Sequence, residues 1–528
     1  MELKLVLLGP GDEAAVLARL KEKKYSVEEI EPVIYADAYL DTFDWQLLKN
    51  KTWLRYRVSN GTATYTLRKT TADDEEDAKK LDMEVHLDGP LEKPTEISSK
   101  RIRKPIDEMI FPRKLLEQVQ VRTHCRRYHV VSPEGTDIEV GFATSSFSLR
   151  GLYKPRPARK LYELEAEILD GPEAGFAGFS SLVSATFLFP ASNASRLDVA
   201  IERFKIDIPS KKIPGKLKVR LDDRLDLAIR KILTFQLQRL REQIPGIKRD
   251  VDTEFVHQAR VSARRMRSCV RYFRDALPES VAAYLTGELK WLGCCLGVVR
   301  DLDVFLLNLL RFRARIARLP GKKRHALEEW IERHRREPLK ALCDALESPR
   351  YRAFERRFLQ FLEKPFPSRP RQPLAAKMVR DVAPELIEGK FDAVIRQGQA
   401  VLEKPKLKEF HRLRIQMKRL RYSCEFMAAA YNGALDPFIE RTVEIQDCLG
   451  ELQDTVFTRN FVDSLCSGWE GKLVDPDLLF ILGEIYQLQA VIARERQESF
   501  CKIWERFSSE ETTTLLKDIL HPSAPPAP

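Results

Sequence analysis

The hydrophobic pattern changes period once, near residue 210, and that change excludes a single continuous fold. Upstream, "TWLRYRV" (52–58), "TATYTLRK" (62–69), "LDMEVHL" (81–87), "RRYHVV" (126–131) and "KLYELEAEIL" (160–169) place β-branched and aromatic residues on a period of two. Turn sequences such as "SNGT" and "PEGTD" separate them. An antiparallel sheet or barrel with a few helices is predicted over 1–205. The segment "IPSKKIPGKLK" (208–218) has linker composition, and a linker is assigned to 206–217. Beyond it the period becomes 3.6. Amphipathic helices are predicted at 223–243, 253–276, 281–311, 323–347 and 349–363, with several more from 376 to 508. The tail, 511–528, ends in "HPSAPPAP" and is predicted partly disordered.

Charge divides at the same place. Residues 1–210 hold 31 Lys and Arg against 34 Asp and Glu, whereas residues 211–528 hold 58 against 44. The net charge of +11 therefore belongs entirely to the helical part, which points to a polyanionic partner there. The nine cysteines are scattered, with no C-x-x-C pair, and read as small buried hydrophobes of a reducing compartment. No stretch of about 18 apolar residues exists, and "MELKLVLLGPGDE" lacks the apolar core of a signal peptide. A cytoplasmic location and no membrane partner are expected.

The helical part repeats itself. His257, Arg260, Arg264, Arg265 and Arg267 align with His411, Arg414, Lys418, Arg419 and Arg421 at an offset of 154. "LGVVRD" (296–301) aligns with "LGELQD" (449–454) at 153, and two blocks in one order mean a duplicated unit, about 218–365 and 372–510. At ~100° per residue, His257, Arg260, Arg264, Arg267 and Arg271 fall within an arc of about 80°. Ala259, Ala263, Met266, Val270 and Phe273 lie opposite. His411, Arg414, Lys418 and Arg421 repeat the stripe over Leu413, Met417, Leu420 and Cys424.

An ordinary solvated face would mix acids with bases, because like charges at i,i+4 cost about 0.2–0.5 kcal/mol per pair. Writing the unfavourable choice twice favours an anion-binding face, and guanidinium suits phosphate through its two-pronged donor geometry. His257 and His411 fit either a phosphate contact or a local structural bond. Nucleic-acid recognition adds exposed aromatics or a groove-reading helix, and neither is interleaved with these stripes. A chain of phosphates without bases needs only the cations.

The pair "VHQARVSARRMRS…LGVVRDLD" and "FHRLRIQMKRLRYS…LGELQD" resembles the CHAD domain over residues 218–510. The resemblance implies two similar four-helix bundles around a basic surface that binds inorganic polyphosphate, with association with polyphosphate granules in some members and no cofactor needed. It carries over His257, Arg260, Arg264, Arg267, His411, Arg414, Lys418 and Arg421 as phosphate contacts; Arg265 and Arg419 join them from the repeat.

Upstream, "MELKL", "AYLDTFDWQLLKNKTWLRYRV", "TLRK" and "YELEAEI" resemble a CYTH domain over 1–205. Arg55 with Arg57, Thr66 with Arg68, and Glu163 with Glu165 and Glu167 each share a strand face, which by itself describes either the wet side of a sheet or a charged lumen. The resemblance implies an eight-stranded antiparallel tunnel barrel in which Lys4, Arg55, Arg57, Arg68 and Arg126 hold a triphosphate. Glu2, Glu163 and Glu165 would hold Mg²⁺ or Mn²⁺.

The chain departs from that family's pattern. Only Glu2 and Lys4 of an opening Glu-x-Glu-x-Lys are present, Ala143 takes the place of a lumen aspartate with Glu139 as the other candidate, and Asn193 replaces a lysine. Losing a metal ligand and a phosphate cation weakens metal-assisted hydrolysis.

The expected architecture is thus α+β and multidomain, an antiparallel β tunnel barrel followed by all-α duplicated four-helix bundles. The leading expectation is a polyphosphate-binding protein whose N-terminal domain binds short phosphate chains, tripolyphosphate or nucleoside triphosphates, without an assigned catalytic residue. The alternatives are a metal-dependent inorganic triphosphatase and a nucleic-acid-binding protein.

Overall fold

The computed structural model describes residues 1–69, 81–111, 113–150, 159–191, 194–206, 217–312, 321–363, 373–468 and 476–522. The chain forms two compact units, Met1–Ile213 and Pro214–Pro528.

The first unit is built on eight strands: β1 (Glu2–Leu7), β2 (Ser26–Asp41), β3 (Thr52–Ser59), β4 (Thr62–Lys69), β5 (Leu81–Leu87), β6 (Leu116–Val131), β7 (Asp137–Leu149) and β8 (Arg159–Asp170). Around them lie α1 (Asp12–Glu22), α2 (Gln46–Lys49), α3 (Lys100–Ile110), α4 (Glu173–Phe187) and α5 (Arg196–Phe204). The strands form one antiparallel sheet in the order β1-β8-β7-β6-β2-β3-β4-β5. Among the described residues the sheet is open, which corrects the expected closed barrel. A bond from the Val6 N–H to the Pro190 carbonyl at 2.9 Å and a bridge between Leu5 and Ala191 instead occupy the outer edge of β1. Val6 thus spends its outward N–H on the Pro190 carbonyl rather than on β5.

Alternation gives the sheet two faces. One packs on helices: Leu5, Leu7, Val140, Phe142 and Leu164 meet Val16 of α1 and Phe176 and Phe179 of α4, while Leu54, Tyr56 and Leu67 meet Ile102, Ile106 and Ile110 of α3. On the other face Tyr39, Val119, Val121, Phe147 and Leu161 pack at one end on Leu197, Ala200 and Phe204 of α5. The polar side chains of β1, β8, β2, β3 and β4 occupy the rest of this inner face.

The second unit is helical: α6 (Leu225–Lys248), α7 (Thr253–Tyr272), α8 (Glu279–Phe312), α9 (Gly321–Glu347) and α10 (Pro349–Glu363), then α11 (Pro373–Ala376), α12 (Val379–Glu403), α13 (Leu407–Met427), α14 (Asp436–Gly468), α15 (Pro476–Phe507) and α16 (Glu510–Leu520). Each copy thus has four longer helices and a shorter closing one. Ala259, Ala263, Met266 and Val270 of α7 are buried, as are Leu413, Met417, Leu420 and Cys424 of α13. The copies also share apolar packing where Phe305 and Leu309 of α8 and Ile331 of α9 join Val462 of α14 and Ile485 of α15.

A two-residue exchange marks the relation between the copies. The Leu225 N–H donates to the Lys377 carbonyl and the Val379 N–H to the Asp223 carbonyl, each at 2.9 Å, and Arg224 bridges Met378. The 154 offset carries residues 223, 224 and 225 onto 377, 378 and 379, so it interchanges the two bonds, the contact is reciprocal and Arg224 faces its own equivalent, Met378. Leu225 and Val379 open α6 and α12, where first-turn N–H groups have no partner within their own helix. Each copy supplies the carbonyl that the other lacks.

The C-terminal segment opens with a further helix. α16 begins at a Ser509 cap, and its Leu516 and Leu520 are buried. Residues 523–528, which hold most of "HPSAPPAP", lie outside the described residues.

Candidate phosphate-binding sites

In the helical unit the two basic stripes meet. Lys418 is pushed from the ordinary lysine value of 10.5 down to about 7, first by burial and then by the charges of Arg414, Arg264 and Arg260, which Asp454 offsets only in part. Arg260 and Arg264 belong to the first copy and Arg414 and Lys418 to the second, and Arg264 and Lys418 are equivalent at the 154 offset. Arg414 is likewise lowered, by burial and by Arg264 against the pull of Asp454. The buried Nε atoms of Arg264 and Arg414 have no hydrogen-bond partner among the described residues. Arg264 lies over the Tyr422 ring at 5.7 Å. Arg267 is lowered by burial and by Arg271, Arg260 and Arg264, and so borders the same centre.

Acids sit at the margin of this centre. Arg260 pairs with Asp301 at 3.2 Å, with both side chains more than a third exposed. Gly297 lies under this pair, where an added Cβ would sit 3.0 Å from Arg260 Nη1 and press on the guanidinium. His257 is half-buried one turn before Arg260, and His411 Nδ1 lies 2.6 Å from Gln453 Oε1. Arg300, which the sequence reading passed over, is lowered by burial and by Arg260 while Asp303, Glu254 and Asp454 oppose that shift. Its neighbour in the repeat is Gln453, so no matching base drew attention to it.

Three other predicted residues are held by partners. Glu425 accepts Arg265 at 2.6 Å and Arg421 at 2.7 Å, and Arg421 also reaches Gln446. Arg419 donates to Gln416 at 3.3 Å.

On the sheet, Lys4, Arg55, Arg57, Arg68, Glu163 and Glu165 share the inner face. Lys4 Nζ lies 3.1 Å from Glu163 and 3.2 Å from Glu165. Arg57 makes a two-pronged bond to the fully buried Asp37, at 2.6 and 2.9 Å, and stacks over Tyr35 at 4.1 Å. Arg55 donates to Thr66 at 3.2 Å, and Arg55 and Arg68 both lie over Trp53. Burial and Arg57 hold the Arg55 guanidinium below its ordinary value, although Asp37 acts against this. Glu2, opposite Glu167, is at the exposed end of β1.

Arg126 does not belong to this group. It pairs opposite Phe142 on the helix-covered face and binds Glu13 at 3.0 Å and Glu29 at 2.9 Å. The adjacent Arg127 takes the inner side and pairs with Glu139 at 3.2 Å. Ala143 is buried opposite Glu163, and Asn193 lies outside the described residues.

Arg196, not anticipated from sequence, completes the inner face. It opens α5, where Ser195 and Asp198 form a capping box, and lies 3.5 Å from Glu163 and 3.0 Å from Glu165. The fit of a divalent ion here is poor: both carboxylates already face two cations, and Asp37 is taken by Arg57. No group of three or more His, Cys, Asp or Glu suited to a metal occurs among the described residues.

An open sheet with cations on its inner face, followed by a duplicated helical unit with a shared basic centre, defines a two-domain architecture. Residues 1–147 match the CYTH domain and residues 231–463 the CHAD domain, and the chain is a CYTH–CHAD protein. It is similar to an uncharacterized protein of Mycobacterium tuberculosis, found in two strains, at 27% identity over 250 residues. That match spans 46% of the chain and 46% of the relative, so the chain covers less than half the length of its curated relatives.

Among solved structures, the CHAD domain of the plant Ricinus communis is 20% identical with a TM-score of 0.43, covering 59% of this chain and 96% of that one. PptA from Streptomyces chartreusis is 18% identical with a TM-score of 0.43, covering 54% and 99%. A Hippeastrum adenylyl cyclase-type protein described as having a dominant triphosphatase activity is 17% identical with a TM-score of 0.26, covering 38% and 95%. No described helix is long and apolar enough to cross a membrane.

Proposed function

We propose that the protein binds inorganic polyphosphate at the basic centre shared by the two helical repeats, and that the inner face of the sheet takes up short phosphate chains. The observation that carries this reading is the convergence of Arg260 and Arg264 of the first copy with Arg414 and Lys418 of the second, where burial and then the three guanidinium charges lower Lys418. Such repulsion costs stability in the free protein, and a polyanion relieves it. The buried Nε donors of Arg264 and Arg414 have no acceptor among the described residues, so neither guanidinium is fully satisfied within the protein. Arg265 and Arg421 support the centre from behind through Glu425.

The test is a competition titration of the full chain at fixed physiological salt, with long-chain polyphosphate against single- and double-stranded nucleic acid. Polyphosphate is expected to displace both. Equal affinity for nucleic acid would overturn the assignment, as would unchanged polyphosphate affinity in the Arg264→Glu, Lys418→Glu double variant. Both ligands depend steeply on salt, so the comparison is made at one salt concentration. The rival reading, hydrolysis of tripolyphosphate on the sheet, predicts sustained phosphate release with Mg²⁺ or Mn²⁺ that Glu165→Ala abolishes.

A further inference from the structure

We propose that Arg196 and Lys4 serve Glu163 and Glu165 as resident cations in place of a divalent metal. On the reading that the inner face takes up phosphate chains, it then accepts them as the free anion rather than as a metal complex.

The four groups form a closed ring, in which Lys4 touches both carboxylates at 3.1 and 3.2 Å and Arg196 touches both at 3.5 and 3.0 Å. Glu163 is 1% exposed and Arg196 10%, so water contributes little to screening or solvating them. The buried Glu163 oxygens receive no well-directed hydrogen bond, and its neutralisation rests on the two cations. A divalent ion would have to displace a guanidinium and an ammonium from these carboxylates, and the neighbouring Asp37 already holds Arg57 in a two-pronged bond.

The coordination chemistry points the same way. Mg²⁺ demands a near-octahedral oxygen shell, and Ca²⁺ takes more ligands still. Ala143 puts a methyl group opposite Glu163 on the neighbouring strand, so β7 supplies no oxygen-bearing side chain there. Arg196, by contrast, is placed firmly: the reciprocal Ser195–Asp198 bonds at 3.2 and 3.1 Å fix the start of α5, and the apolar side of that helix is packed on the sheet. At this end of the inner face Lys4, Arg55, Arg57, Arg68 and Arg196 gather around Glu163, Glu165 and Asp37, while Glu2, Glu139 and Glu167 lie two residues further along β1, β7 and β8 with Arg127. A free phosphate chain is attracted to the clustered cations, whereas bound Mg²⁺ lowers its charge by two.

Mn²⁺ binding by electron paramagnetic resonance, on the full chain without phosphate, tests the cation ring directly. The wild type is expected to leave the Mn²⁺ signal unchanged, Arg196→Ala to gain a bound ion that an added Glu163→Gln removes, and Arg196→Lys to behave as wild type. If Arg196→Ala does not fold, Lys4→Met is expected to show the same gain. A bound ion in the wild type that Glu163→Gln abolishes would overturn the proposal, and so would the absence of any gain in folded Arg196→Ala.

A second measurement concerns the phosphate. In the Arg264→Glu, Lys418→Glu background, calorimetric titration with tripolyphosphate is expected to be at least about tenfold tighter in EDTA than in excess Mg²⁺. Tighter binding with Mg²⁺ overturns free-anion uptake. No binding in either condition refutes the phosphate reading of this face, while the Mn²⁺ result still decides the cation ring.

Discussion

Glu425 of the second helical repeat accepts the Arg265 guanidinium of the first at 2.6 Å, and the same carboxylate holds Arg421 at 2.7 Å. Its equivalent at the 154 offset is Arg271, so this clasp has no symmetric copy. Replacing Glu425 with Gln should therefore act in opposite directions on stability and binding. The three side chains are 17–27% exposed, so the loss is discounted from that of a fully buried pair to about 1–2 kcal/mol. Two guanidinium groups are released at the same time, and polyphosphate affinity should rise. Thermal denaturation and a binding titration on the same variant read both changes.

The reciprocal bonds at the repeat boundary make Val379 an informative position. Proline is ordinarily well suited to the first residue of a helix, where its missing N–H is not needed. Here the Val379 N–H donates to Asp223 at 2.9 Å, and Met378 before it is already extended at ψ 152°. Val379→Pro should fit the backbone and still cost about 1–2 kcal/mol through one lost hydrogen bond. Thermal denaturation checks this, and a neutral result would show that the exchange between the copies contributes nothing.

Asp37 is fully buried and makes a two-pronged bond with Arg57, whose side chain is 27% exposed. Asp37→Ala should destabilise the sheet unit by about 2–4 kcal/mol, because a guanidinium loses its two-pronged partner in a poorly solvated place. Arg57→Ala in the same chain should recover part of that loss, giving a positive coupling in a double-mutant cycle followed by urea denaturation.

Legibility in the sequence followed the range of the interactions. β3, β4, β5 and β8 were plain because alternation is local, and the duplicated stripes were plain because they recur at a fixed offset. β2 was obscured where Pro32 and a register shift between Ile30 and Val33 interrupt its alternation, and β7 by its small residues, "GFATSSFS". The run Arg126–Arg127 guarantees one arginine on each face, and only the pairing register shows that Arg127 is the inner one. Asp37 carried a signal in "YADAY", an acid between two tyrosines on one strand face, whose meaning depends on Arg57 across the strand pair. Arg196 had only the cap sequence "SRLD", which announces a helix start without saying what it faces. Among the stripe residues, Glu425's hold on Arg265 and Arg421 joins separate helices or turns, and composition of a stripe cannot anticipate it.

Lys418 gives the basic centre a pH dependence with a definite sign. In the free protein its pKa is about 7 because burial and the charges of Arg414, Arg264 and Arg260 disfavour the ammonium, compared with 10.5 for an ordinary lysine. The unfolded chain therefore binds the extra proton between those two values, and the contribution of Lys418 to stability rises with pH across that window. Binding has the opposite dependence. A polyanion favours the charged form, raises the pKa and draws a proton onto Lys418, so affinity should increase as pH falls from 8 to 6. Each unit by which bound phosphate raises this pKa corresponds to about tenfold in affinity. Calorimetric titrations at pH 7.5 in buffers of different ionisation enthalpy should register proton uptake on binding. Lys418→Met should abolish that uptake and flatten the profile, whereas Lys418→Arg should keep high affinity at pH 8 because guanidinium retains its charge there. Uptake that persists in Lys418→Met would place the titrating group elsewhere, with His257 and His411 the next residues to replace.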